Sequence, residues 1–282
     1  MIVFLNGQFV PEEQALISVF DRGFLYGDGL FETMRIFNGK PFRWPQHLER
    51  LTRGAEVLGL RLPFSTELLW KFADELIQKN HMPDSLLRLT LSRGIGLRGY
   101  SPRGAEHPTL VMSMHPAPPD GSQDLREWRL LTSSVRLPAK QLLAQFKTCN
   151  KLAQVLARAE ADAANAEEAL LLNTDGFVVE GASSNLFCIK EANVYTSPLE
   201  SGILPGVTRA VVFEICENLG FTTSESNMSA EDLLKAEGVF LSLSSMGIAE
   251  AVSLDNRPLR RSALSRQLHS AYWTLLGHET SG

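Results

Sequence analysis

Three cysteines in 282 residues, Cys149, Cys188 and Cys216, are too few and too irregularly spaced for a disulfide framework or a cysteine metal site. No apolar run approaches the ~20 residues that a membrane helix requires. The opening Met1-Ile2-Val3-Phe4-Leu5-Asn6 lacks the basic stretch and long apolar core of a signal peptide. Positive charge is not in excess either. A net charge of −5 argues against nucleic acid or an anionic membrane as the main partner, although one electropositive pocket is compatible with it. The six histidines show no H-x-x-x-H or H-E-x-x-H spacing, so no metal site is expected. Neither a G-x-S-x-G elbow nor a Walker sequence occurs, and no repeat or low-complexity tract is present. What remains is the expectation of a cytoplasmic globular protein, 44% hydrophobic and long enough to bury a core.

Periodicity outlines the elements. Residues 2–10 form a hairpin turning at Asn6-Gly7, where positive φ is cheap. Leu48, Leu51, Ala55 and Leu58 fall at helical spacing over 45–60, and a second amphipathic helix follows over 66–79. Segments 86–92 and 108–114 are strand-like. The stretch H-P-A-P-P-D-G-S at 115–122 is the strongest break and suits an extended linker. Beyond it, 128–135 reads as a strand. A helix over 151–166 places Leu152, Val155, Leu156, Ala159 and Ala163 on one face. A hairpin turns at Thr174-Asp175-Gly176. Pro205-Gly206 precedes a helix that Gly220 stops, and Ser229 with Asp232 opens another as a capping box. A strand over 239–243, a turn through Ser244–Gly247 and a helix near 262–275 complete the chain. The expectation is an α+β protein of two domains, 1–114 and 123–282, joined by the 115–122 linker.

Chemistry concentrates between Lys147 and Asn185. Lys147 follows the apolar Leu142–Phe146 and precedes a helix. An amine there, partly desolvated, has a lowered pKa and can act as nucleophile and proton carrier. Glu180 lies one helix and one hairpin further on, at the end of an apolar strand and ahead of Gly181-Ala182-Ser183-Ser184. A lysine to form a Schiff base and a carboxylate to keep a ring nitrogen protonated are the two groups that pyridoxal phosphate asks of a protein. A phosphate needs helix N-termini, hydroxyls and an arginine. Pro205-Gly206-Val207-Thr208 offers one seat, Ser244-Ser245-Met246-Gly247 a second, and Arg50 in H-L-E-R-L a charged contact. Gly94-Ile95-Gly96-Leu97-Arg98-Gly99 matches G-x-G-x-x-G, but loop rather than helix follows, which excludes a dinucleotide site. The same loop gathers Arg93, Arg98, Tyr100 and Arg103, a cluster suited to a carboxylate-bearing substrate.

Five ordered segments carry a resemblance: D-R-G-F-L-Y-G-D-G-L-F-E-T-M-R at 21–35, H-L-E-R-L at 47–51, K-T-C-N-K-L at 147–152, V-V-E-G-A-S-S-N-L-F at 178–187 and G-I-L-P-G-V-T-R at 202–209. Together they resemble the class IV, fold-type IV pyridoxal-phosphate family of branched-chain aminotransferases, D-amino-acid aminotransferases and aminodeoxychorismate lyases. The resemblance implies a small N-terminal α/β domain, a larger C-terminal pseudo-barrel domain and a homodimer. It makes Lys147 the Schiff-base lysine and Glu180 the ring-nitrogen partner. Arg50, Val207, Thr208, Ser244 and Ser245 would form the phosphate cup. Phe31, Thr33, Arg93, Arg98 and Tyr100 would face the substrate. The loop S-R-G-I-G-L-R-G-Y-S-P at 92–102 looks most like the lyase subgroup, whose substrate has two carboxylates. The leading expectation is therefore 4-amino-4-deoxychorismate lyase, releasing 4-aminobenzoate and pyruvate. An aminotransferase for D-amino or branched-chain L-amino acids is the alternative, favoured by V-V-E-G-A-S-S-N-L-F.

Overall fold

The structure is a computed structural model and describes residues 1–119 and 121–281. The architecture is α+β, and the chain divides into two compact units. The first holds residues up to Pro118, then Phe146–Asn150 and the chain from Leu276. The second holds the described residues of 119–145 and Lys151–Leu275. The expected continuous segment 123–282 differs from this division in two places, because 146–150 and the last helical turn pack with the N-terminal residues. The expected linker 115–122 also differs: a strand continues through Pro116, and Asp120 lies outside the described residues.

The first unit is built on an antiparallel six-stranded sheet in the order β2-β1-β6-β5-β3-β4. Its strands are β1 (Ile2–Leu5), β2 (Gln8–Pro11), β3 (Gly29–Phe37), β4 (Lys40–Pro41), β5 (Ser85–Ser92) and β6 (Thr109–Pro116). Asn6 and Gly7 take positive φ between β1 and β2, as the Asn-Gly pair predicts. The short helix α1 (Arg22–Tyr26) precedes β3, and α2 (Trp44–Leu58) and α3 (Thr66–Asn80) follow β4. Period-two alternation sends Leu30, Met34 and Ile36 of β3, and Leu87, Leu89 and Leu91 of β5, into one core with Leu48, Leu51 and Ala55 of α2 and Leu69, Ala73 and Leu76 of α3. Phe31, Thr33, Arg88 and Thr90 alternate with these residues and so occupy the opposite face.

The second unit carries nine strands that curl into a half-barrel, in the order β12-β11-β10-β13-β14-β7-β8-β9 with β15 beside β14. They are β7 (Arg126–Leu137), β8 (Glu168–Asn173), β9 (Val178–Gly181), β10 (Asn185–Lys190), β11 (Asn193–Thr196), β12 (Thr223–Glu225), β13 (Gly238–Leu243), β14 (Gly247–Leu254) and β15 (Arg257–Pro258). The helices are α4 (Leu152–Ala163), α5 (Val207–Asn218), α6 (Ala230–Lys235) and α7 (Ala263–Thr280). The capping box at Ser229 and Asp232 forms as expected. On α4, the face with Leu152, Val155 and Leu156 is exposed, and the helix packs instead through Ala157 and Ala161. Small alanines let α4 lie close to the sheet, which leaves its larger apolar side chains outside. Among the described residues no helix is long and apolar enough to cross a membrane.

Gly94 has φ +80°, and a Cβ there would sit on the carbonyl oxygen of His107. Neither backbone can yield cheaply. Gly94→Ala should therefore cost about 3 kcal/mol of stability, read as a fall of roughly 5–10 °C in the melting midpoint. A midpoint equal to the unsubstituted protein's would contradict this reading of the 94–107 contact.

Candidate active site

Lys147 does not sit at a helix N-terminus. It lies in an extended segment that lines up with β3, ahead of α4 at Leu152. The Phe31 N–H donates to the Lys147 carbonyl at 2.9 Å, and the Cys149 N–H donates to the Gly29 carbonyl at 2.9 Å. Leu30 and Thr148 form the bridge between them. Gly29 is set by β5 rather than by this segment: a Cβ there would lie 2.6 Å from the Leu91 carbonyl oxygen, while the Cys149 sulfur would be 3.4 Å away. Phe146 anchors the segment in the core shared with α2 and α3. Backbone pairing and one buried ring thus fix the half-buried Lys147.

The Phe31 ring organises the charges above β3. The Lys147 ammonium lies 4.9 Å from the ring centroid and the Arg88 guanidinium 3.9 Å from it. Thr33 is the register partner of Arg88 on the same face. Burial lowers the Arg88 pKa from the usual arginine value, with Cys149 opposing the shift. An arginine stays charged regardless. Among the described residues, Arg88 has no carboxylate partner.

On the other face of β3, Glu32 is buried among apolar neighbours and must be paired. The Arg50 guanidinium donates to it twice, at 2.8 and 2.6 Å, and His47 Nδ1 lies 2.7 Å from Glu32 Oε2. Burial would raise the Glu32 carboxyl, but the Arg50 charge and the His47 hydrogen bond outweigh it and hold the group down at about 2. His47 is pushed below its usual value by burial; the Glu32 contact opposes this, while the Arg50 and Lys147 charges add to it. A neutral imidazole with its proton on Nδ1 then donates to the carboxylate. Arg50 is thereby held by a side chain as well as by its helix.

In the second unit, Glu180 on β9 accepts from the Leu204 N–H at 3.0 Å and lies 3.4 Å from the Asn185 amide nitrogen. The chain then enters α5, whose N-cap residue, Gly206, provides no side-chain cap. Thr208 Oγ1 in the first turn is 3.3 Å from Ser244 Oγ, from the turn between β13 and β14. Val207 and Thr208 are buried, and Ser244 and Ser245 are half-buried. A helix start without a side-chain cap, beside two hydroxyls, has the donor set an anionic phosphate requires. A carboxylate fixed by a backbone N–H has the charge to pair with a protonated ring nitrogen. The residues present fit pyridoxal phosphate.

The three loop residues expected to face the substrate differ in their surroundings. Arg93 is buried and spent: it donates to Asp28 at 2.7 and 3.0 Å and to the Leu58 and Gly59 carbonyls at 2.8 and 3.1 Å. It ties the C-terminus of α2 to the start of the loop. Arg98 and Tyr100 are exposed, Tyr100 at 88%. Sequence reading missed Arg88, Glu32 and His47. Their signal was present: Arg88 is the single charged residue of β5, Glu32 is one of two in the largely apolar β3, and His47 lies one helical turn before Arg50.

Residues 29–254 match the amino-transferase class IV family, and the chain belongs to it. The enzymes of this family use pyridoxal phosphate. A Methanocaldococcus jannaschii protein provisionally named branched-chain-amino-acid aminotransferase is 36% identical over 258 residues, 91% of this chain and 89% of the relative. A D-alanine aminotransferase of Staphylococcus aureus is 32% identical, covering 96% of each chain. The branched-chain aminotransferase of Escherichia coli superposes with a TM-score of 0.92 at 25% identity, over 99% of this chain and 96% of the other. A Legionella pneumophila protein provisionally named 4-amino-4-deoxychorismate lyase does so at 0.86 and 29%, over 96% and 97%.

The buried triad predicts acid sensitivity. Both folded-state pKa values lie below the unfolded ones, so their contributions are complete above about pH 6.5. Stability should fall as pH drops, first as His47 charges in the unfolded chain and more steeply below 4.5, the Glu32 starting value. Glu32→Gln should destabilise the protein at pH 7 by about 3–5 kcal/mol and flatten the lower part of that profile. Denaturant midpoints from pH 3 to 8 test this; parallel profiles for the two proteins would refute it.

Proposed function

We propose that the chain is an amino-acid aminotransferase whose substrates include one bearing a side-chain carboxylate. The observation that carries this is Arg88: a half-buried cation beside Lys147 on the Phe31 ring, with no acid of its own among the described residues. Holding a guanidinium out of water without a counter-ion is costly unless something anionic arrives to meet it. The relatives named as branched-chain and D-alanine aminotransferases support the reaction class.

When bound, the cofactor supplies the electron sink that acidifies the substrate carbon bearing the amino group. Lys147 holds the cofactor and then carries a proton to and from that carbon, as general base and acid. The Phe31 ring positions the Lys147 amine beside Arg88. Glu180 keeps the ring nitrogen protonated. Arg50, held by Glu32, with Val207, Thr208, Ser244 and Ser245, binds the phosphate. Arg88 orients the acidic substrate.

Lys147→Ala should abolish turnover and the visible absorbance of the bound cofactor. Arg88→Ala should raise KM for glutamate about 100-fold while changing KM for leucine or alanine little. Equal effects on acidic and apolar donors would remove Arg88 from substrate recognition.

A second reading, 4-amino-4-deoxychorismate lyase, draws on Arg98. It is exposed, lacks a partner among the described residues, and could meet one carboxylate while Arg88 meets another. The Legionella neighbour supports it. Sustained release of 4-aminobenzoate and pyruvate from aminodeoxychorismate would establish the lyase. Bleaching of the cofactor by glutamate, without that release, establishes the aminotransferase. We further propose a homodimer: Phe20, Phe24 and Leu25 in one unit and Leu152, Val155 and Leu156 in the other are exposed apolar side chains that a second copy would cover. Sedimentation at twice the chain mass of 31.2 kDa is the expected result, and a single-chain mass at micromolar concentration would contradict it.

A further inference from the structure

The turn at residues 181–184 joins the end of β9, just past Glu180, to Asn185 at the start of β10. Side chains from both ends of this turn converge on Leu204. Asn185 is buried, and its side-chain nitrogen donates to the Leu204 carbonyl at 2.9 Å and lies 3.4 Å from Glu180 Oε2. Both neighbours are acceptors, so the amide must present its nitrogen to them. The Leu204 N–H donates to the same Glu180 oxygen at 3.0 Å. Carboxylate, amide and the backbone of one residue thus close a ring. Through that ring the chain two residues before Gly206, the N-cap of α5, is tied to Glu180.

The same amide touches the start of α5. Gly206 has an ordinary φ of −66°, so its missing side chain answers a contact: a Cβ there would collide with Asn185 Oδ1. Pro205, between Leu204 and Gly206, has a fixed φ and passes the tether on stiffly. The main chain of Asn185 pairs with Ser242 on β13, two residues before Ser244 in the adjoining turn. One asparagine is therefore referenced to Glu180, to the α5 entry and to the strand that leads to Ser244. Its own base is firm. Glu168, fully buried on β8, accepts from the Ser183 N–H at 3.2 Å and from the hydroxyls of Ser183 and Ser184 at 2.7 and 3.1 Å. Among the described residues no cation pairs with Glu168, so these donors and the Ala169 N–H at 3.0 Å are what satisfy it. The Gly181 N–H closes the turn on the Ser184 carbonyl at 2.7 Å.

We propose that Asn185 is a positioning residue for the cofactor. It fixes the span between Glu180, at the ring-nitrogen end, and the seat made by α5 and Ser244, at the phosphate end. This rests on the reading of Glu180 and that seat as two ends of one site, and it adds the part that makes the ends act together. A rigid span lets the second end bind as an intramolecular event once the first is held, so two weak contacts become one strong one. If the span loosens, each end keeps its own contacts and the gain between them is lost.

The test is calorimetric titration of the cofactor-free enzyme with two probes, pyridoxamine phosphate and inorganic phosphate. The first spans both ends but has an amine in place of the aldehyde, so it forms no bond to Lys147. The second fills the α5 seat alone. Asn185→Ala should raise the Kd of pyridoxamine phosphate about 30-fold and leave that of inorganic phosphate within about threefold. It should also speed exchange of the Leu204 amide while leaving β13 protected. Asn185→Asp keeps the shape but replaces the donor with an acceptor; it should weaken pyridoxamine phosphate at least as much and serves if Asn185→Ala does not fold. In a Glu180→Ala background, neither substitution should raise that Kd by more than about threefold. Equal weakening of both probes, or additive effects in that background, would overturn the proposal. The parent enzyme separates the two readings. Its failure to bind pyridoxamine phosphate overturns the reading of the site, while tight binding that survives in the variants overturns only the role of Asn185.

Discussion

Everything proposed for Lys147 depends on a pair of main-chain hydrogen bonds. A lysine side chain has four rotatable carbons, so its base must be fixed if its amine is to serve one carbon atom repeatedly. The pairing of 147–149 with Gly29–Phe31 provides that base. Phe146 drives the other end of the segment into the helical core. The residue proposed to do the chemistry is thus carried by the sheet of the first unit, although the chain reaches it only after crossing a strand of the second.

β3 turns one strand into two electrostatic layers. Its alternation places Phe31 and Thr33 on one face and Glu32 on the other. On one side, Lys147 and Arg88 share an aromatic ring. On the other, Glu32 collects His47 and Arg50. The buried carboxylate is satisfied by three donors, so it acts as a clamp on Arg50 and not as a counter-ion waiting for substrate. Among the described residues, the Arg88 side lacks such an acid. That asymmetry, in a chain with more acidic than basic residues, is what the proposed recognition of an acidic substrate rests on.

Much of this was legible before any coordinates. Turn residues and caps announced the β1–β2 hairpin, the α5 entry and the α6 capping box, because each depends on local backbone chemistry. The five motifs single out Lys147, Glu180 and the α5 entry, the residues on which the proposed function rests. Other features depend on contacts distant in sequence. That Lys147 belongs to an added strand, and not to a helix start, is decided by residues 29–31. That the apolar stripe on α4 faces outward is decided by the fit of Ala157 and Ala161 against the sheet. The fate of an arginine is the hardest to read, since a guanidinium's role is set by whichever acids and carbonyls the fold brings within reach.

The loop arginines show how far that last point goes. By composition, Arg93 and Arg98 are equivalent cations five residues apart, and both suit a dicarboxylate. The fold separates them: Arg93 is consumed by Asp28 and the end of α2, and Arg22 joins it on the same carboxylate. One aspartate therefore removes two cations from the set available to substrate. Were Asp28 uncharged, Arg22 and Arg93 would be buried without compensation, and both would be competitors for any incoming carboxylate. Burial would raise the Asp28 carboxyl, yet the hydrogen bonds from Arg93 and Arg22 hold it below the usual carboxylate range, so it stays ionised at neutral pH. Selectivity for an acidic substrate then requires not only cations that are free, but neighbouring cations kept occupied.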